Sequence, residues 1–194
     1  MRATAPPIKR SAKLSAIDAP SRPLVVPLGL AYSVLVIAFG VGVWGSAGRK
    51  RALCVVAGLL VGYGVACLAA PFTPMHLREV LATDGPTLTE TLHKTMAIVD
   101  ALFLLLAIGF GATAFGKRFR VYSIGTILVL LVFGALAGLD APQIEANLPT
   151  PWAGVTERIS IFGSLLWVAV LATALLRVHV GRPQVGLDGT SDSE

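Results

Sequence analysis

The sequence predicts an all-α, polytopic transmembrane helical bundle of about five spans. Two observations carry this prediction. The chain of 194 residues is 55% hydrophobic and only 14% charged, with a mean hydropathy of +0.76, a balance foreign to soluble domains. Its apolar residues are also blocked rather than spread: no Asp, Glu, Lys or Arg interrupts 23–48, 52–75, 101–116, 121–139 or 159–176. With their flanks, these blocks match the roughly 20 residues that a helix needs to cross a hydrocarbon core. They lack the alternation of a barrel strand, the other structure that satisfies its backbone in lipid.

The elements follow in order. Residues 1–23, rich in Pro, Ala and basic side chains and without periodicity, read as a disordered tail. The first span runs from Leu24 to Gly45, with Trp44 as an interfacial anchor, and the GRKR turn at 48–51 leads into a second span, Ala52–Ala70. A polar loop containing PFTPMHLRE fills 71–87, the third span covers 88–115, and GKRFR follows at 116–120. The fourth span is Val121–Leu139, the polar stretch DAPQIEANLPTP at 140–151 is a loop, and the fifth span runs from 152 to 178. The bundle thus occupies 24–178, and 179–194 reads as a second disordered tail.

The net charge of +5 does not point to nucleic acid, because the cations sit beside the spans rather than on one face. Arg49, Lys50, Arg51, Lys117, Arg118, Arg120, Arg177 and Arg182 fall on one side, while Arg78, Lys94 and Arg158 fall on the other. The rule that cations stay inside makes the basic loops 48–51 and 116–120 and the C-tail cytoplasmic, in a plasma membrane. Five spans then send the basic N-tail outward, against the same rule, so its side stays open. Cys54 and Cys67 lie in one span, about 20 Å apart along a helix, which is beyond disulfide reach; they read as small packing residues.

The chemistry concentrates in the stretch TLTETLHKTMAIVD, residues 87–100. Thr87 and Glu90 fit a capping box, in which a threonine oxygen and a carboxylate satisfy each other's backbone amides. At 100° per residue, Glu90, His93 and Asp100 share one helix face within about 80°; Lys94 lies off it and can snorkel. A carboxylate well inside a span needs a partner. Arg158, at similar depth in span five, is the expected ion-pair partner of Asp100, and Glu157 points elsewhere, toward His93 or His76. His76, His93, Asp100 and Glu157 together would make a zinc-type donor set, although the chain has no HxxxH, HExxH or CxxC spacing to mark one. Small residues recur as Gly58-x-x-x-Gly62 and Gly134-x-x-x-Gly138, expected to pack spans within the bundle.

These residues leave three functions open. The first is an integral membrane protein whose outer-face polar cluster ties spans three and five together. The second is a membrane-embedded, metal-dependent hydrolase of a lipid or lipid-linked substrate, with Glu157 or Asp100 as general base and His93 and His76 as ligands or proton carriers. The third is a small transporter or channel subunit with Asp100 as a proton or cation site, although spans one, two and four carry no charge to continue a path. Membrane lipids are the expected partners; a protein partner or a homo-oligomer is allowed but not demanded. No cofactor is expected outside the zinc alternative.

Five segments resemble one family: FGVGVWGSAGRKRAL (39–53), PFTPMHLRE (71–79), TETLH (89–93), FGKRFRVYSIGTI (115–127) and PTPWAGVTERISIFGSLLWVAVLATALLR (149–177). On these the chain resembles DUF998, a bacterial and archaeal membrane domain of unknown function, over about residues 24–178. The resemblance implies a helical membrane bundle, typically of six spans, and supplies no settled activity, substrate or cofactor. Against that pattern the first family span and its outer loop are replaced here by the basic tail.

Overall fold

Each uncharged block folds as one helix. The computed structural model describes residues 22–73, 81, 85 and 87–180, and among them there is no strand. Helix α1 covers Arg22–Ala47, α2 Arg51–Cys67, α3 Leu88–Gly111, α4 Lys117–Glu145 and α5 Ala153–Val180, and a 3-10 turn, Ala70–Phe72, follows α2. All five are long and apolar enough to cross a membrane. The short α2 reaches that length through the turn, giving 22 residues from Arg51 to Phe72, about 33 Å at 1.5 Å per residue. The two tails expected to be disordered fall almost wholly outside the described residues, as does most of the 71–87 loop with His76.

Local chemistry sets the helix ends. The α1–α2 turn passes through Gly48 at φ 53°, a left-handed conformation that costs a glycine nothing. Lys50 donates from Nζ to the Ala114 carbonyl at 3.2 Å and lies 5.1 Å from the Phe115 ring centre, so the two basic loops are joined at one end of the bundle. Helix α4 does not stop at Leu139: it continues through Pro142 to Glu145. It ends in a Schellman motif, with Asn147 at φ 54°, the Asn147 amide on the Ile144 carbonyl at 3.1 Å and the Leu148 amide on the Gln143 carbonyl at 2.8 Å. Asn147 tolerates the left-handed conformation, so the helix runs on to it, and the polar DAPQIE stretch becomes helix instead of loop.

The chain packs as an α1–α2–α3 series followed by an α4–α5 hairpin; α3 leans lightly on α4 and only grazes α5. The apolar core lies toward the basic-loop end, around Val43, Val56, Ile108, Phe119, Trp167 and Leu171. Close approach of α1 and α2 depends on Gly40 and Gly64, where an added Cβ would come within 3.0 Å of the Val61 amide nitrogen and of the Ser33 carbonyl oxygen respectively. The expected glycine pairs behave differently: Gly58, Gly134 and Gly138 have nothing within 4 Å of such a Cβ, and only Gly62 meets a neighbour, the Phe103 ring. Spacing of four residues marks a face; it does not say whether a helix lies against it. Large apolar side chains such as Phe162, 65% exposed, cover the outside, as lipid contact requires.

Candidate functional site

The end of the bundle remote from the basic loops is held by polar groups rather than by apolar packing. Helix α3 starts there at the N-cap Thr87, whose amide donates to the Glu90 carboxylate in a capping box. The Thr87 hydroxyl also approaches the same carboxylate oxygen at 3.1 Å, and Glu90 is fully buried. One turn on, His93 Nδ1 lies 2.9 Å from the Thr73 carbonyl oxygen. A carbonyl only accepts, so Nδ1 carries the proton and Nε2 is left as the other ring position. Lys94 forms an ion pair with Glu145 at the far end of α4. This pair clasps α3 to α4 where their apolar contact is thin, a role different from a lone interfacial anchor.

Asp100 lies deeper, and its surroundings come from α2 and α1. The Cys67 thiol approaches Asp100 Oδ2 at 3.8 Å and also neighbours the Tyr63 hydroxyl. Tyr63 in turn shares a hydrogen bond of 3.1 Å with the Tyr32 hydroxyl, the two rings meeting edge to face with centres 6.4 Å apart. A chain of polar groups, Tyr32–Tyr63–Cys67–Asp100, therefore crosses three helices. At its end Asp100 Oδ1 is buried and has no hydrogen-bond donor. An unsatisfied acceptor in such a place costs about 1–3 kcal/mol, more when charged.

The expected Asp100–Arg158 ion pair does not form. Arg158 is exposed and donates from Nη1 to the Gly154 carbonyl of its own helix at 3.0 Å. Counting residues from one end gives each side chain its depth, but not its direction around the helix or the identity of its neighbour. Because α3 lies against α2 and hardly against α5, the cluster joins spans one, two and three instead of three and five. Glu157 is exposed on α5, and it is not gathered with His93. Among the described residues no three His, Cys, Asp or Glu side chains come together for a metal ion; His76 lies outside those residues. Tyr32 and Tyr63 are not singled out by the sequence, and Cys67 reads there only as a small packing residue. The available signal was two tyrosines inside spans, away from the interfacial belts that tyrosine prefers, with Tyr63 and Cys67 four apart on one face of α2.

The Lys94–Glu145 clasp gives a modest prediction. The two side chains remain 39% and 33% exposed, so a double-mutant cycle with Lys94→Ala and Glu145→Ala is expected to give a coupling of about 0.2–1 kcal/mol that shrinks in high salt. A coupling near zero at low salt would remove the clasp from the forces holding α3 to α4.

No curated protein and no solved structure matches the chain. The family described as "Protein of unknown function (DUF998)" matches residues 12–174, beginning about twelve residues before the 24–178 stretch over which the resemblance was drawn. With five membrane-length helices and a family match over most of its length, the chain is an integral membrane protein that belongs to the DUF998 family.

Proposed function

We propose that this protein binds a ligand in the membrane, and that the Tyr32–Tyr63–Cys67–Asp100 chain is its working site. The observation that supports this reading is the buried Asp100 Oδ1 with no donor. A cluster serving only to join helices gains nothing from an acceptor left open, since its stabilising effect comes from completed hydrogen bonds. An open acceptor is useful where a second molecule completes it. Placing the basic loops in the cytoplasm, as the distribution of cations favours, puts this site in the outer half of a plasma-membrane bundle, reached from the outer leaflet or the surface above it.

The test is the stability of the ligand-free protein. Asp100→Leu removes both the carboxylate and its unmet hydrogen bond while keeping the branched shape of the side chain, with two methyl groups in place of the oxygens. It is expected to leave the melting temperature in detergent unchanged or to raise it by the equivalent of about 1–2 kcal/mol, because a shape-conserving apolar replacement of an unsatisfied polar group is neutral or stabilising. Sites held for binding are commonly stabilised by removing their functional group. A joint between helices predicts the opposite, and a loss above about 2 kcal/mol in Asp100→Leu would sink the binding reading.

A further inference from the structure

Resting on that reading of the site, we infer that the ligand is a primary ammonium group, the head of an aminolipid or a free alkylamine. The first argument is capacity. The open position at Asp100 Oδ1 belongs to an acidic side chain, which in its ionised form accepts hydrogen bonds and donates none. Its occupant must bring a donor, and positive charge is favoured.

The second argument is the state of the surrounding donors. The Cys67 thiol is directed at Asp100 Oδ2, the Tyr32 and Tyr63 hydroxyls share one hydrogen bond while Tyr63 also pairs with Cys67, and His93 Nδ1 serves the Thr73 carbonyl. The cations that could receive an anion are engaged elsewhere: Lys94 with Glu145 and Arg158 with its own helix. A phosphate or carboxylate has nothing to hold it here.

The third argument separates ammonium from a bare metal ion. A hard cation requires about six oxygen ligands, whereas the described residues gather no group of three acidic, histidine or cysteine side chains. An ammonium group needs three acceptors and tolerates aromatic walls. Asp100 Oδ1 supplies the charged acceptor. The phenol oxygens of Tyr32 and Tyr63, at the other end of the polar chain that reaches Asp100 through Cys67, keep lone pairs that can serve as further acceptors, and a tyrosine ring face attracts a cation. On α3 the residues three before and one after Asp100 are the exposed alanines Ala97 and Ala101, so only small side chains flank the carboxylate's position on that helix.

The experiment uses full-length protein in nanodiscs made of phosphatidylcholine alone, or with added phosphatidylethanolamine or phosphatidylglycerol, and in detergent with free ethanolamine or sodium chloride. The readout is the melting temperature of wild type, Asp100→Leu and Asp100→Asn. Phosphatidylethanolamine is expected to raise the wild-type melting temperature by about 5 °C near saturation over its value in phosphatidylcholine alone and to leave both variants unmoved, with phosphatidylglycerol inactive. The same shift with free ethanolamine would assign the ligand to soluble amines as well; a shift with the lipid alone assigns it to the headgroup. Equal shifts with phosphatidylglycerol or sodium, a shift that survives in Asp100→Leu, or no shift with either amine would overturn the inference. In that event an undiminished stability of Asp100→Leu still leaves the site standing with another ligand, whereas a collapse of that variant removes site and ligand together.

Discussion

Trp167→Ala is expected to destabilise the protein by about 3–5 kcal/mol, the range for truncating a large buried aromatic. Trp167 has no exposed surface, and with Leu171 and Leu175 it carries α5 into the shared apolar core. Its indole edge lies where a Cβ on Gly111 would come within 2.6 Å, so α3 admits it only because position 111 has no side chain. Its ring centre is 6.3 Å from that of Phe119 on α4, and its Nε1–H donates to the Ser123 hydroxyl at 3.0 Å. An indole N–H within a span has no water to turn to, so this bond matters as much as the apolar contact. Trp167→Phe should cost less, about 1–3 kcal/mol, since most of the volume stays and the chief loss is the partner of a buried hydroxyl. Unfolding in detergent titrated with dodecyl sulfate, followed by helix content, separates the two. A cost below about 1 kcal/mol for Trp167→Ala would mean that α5 is held by something other than this core.

The contrast between the two ends of the bundle shows what the sequence makes legible. The spans were readable because they follow from one local property, a run without charge long enough to cross lipid, and all five became helices. The start of α3 was readable for the same reason: a capping box involves residues three apart, and Thr87 and Glu90 are positioned by their own turn. The end of α4 was misjudged because Asp140 and Pro142 suggest a stop, while the residue that sets the stop is Asn147. The site was half readable. Asp100 stands out in any count of charges inside spans, but its partner depends on which helix lies beside α3, and that is a property of the assembled bundle. Depth can be counted along a chain. Direction around a helix and choice of neighbour cannot, so Arg158 was expected and Cys67, read as packing, was the residue found there.

The same distinction decides which glycines matter, and it leads to the second large expected effect. Gly64→Ala should destabilise by about 1–3 kcal/mol, the usual cost of overpacking, and Gly40→Ala by a similar amount. At Gly64 the new Cβ would meet Ile37 Cγ1 at 2.7 Å, the Ser33 carbonyl oxygen at 3.0 Å and the Ile37 amide nitrogen at 3.1 Å. The side-chain atom can rotate away, but the two backbone atoms belong to α1 and move only with the helix. Gly62→Ala offers a milder case, since its neighbour is the Phe103 ring at 2.8 Å, a side chain free to shift. Gly58→Ala, Gly134→Ala and Gly138→Ala have open space and should be neutral or slightly stabilising, because alanine is the better helix former. If Gly134→Ala or Gly138→Ala instead lost as much as Gly64→Ala, those positions would have to pack against a second molecule. Gly64 adjoins Tyr63 and faces Ser33, the neighbour of Tyr32, so a helix pushed outward there also parts the two phenols. Gly64→Ala should therefore weaken amine binding at Asp100 as well as stability, while Gly40→Ala, farther along the same helix pair, should lower stability with a smaller effect on binding. Equal losses of binding in the two variants would separate the Tyr32–Tyr63 bond from the site and leave Asp100 and Cys67 to hold the ligand without it.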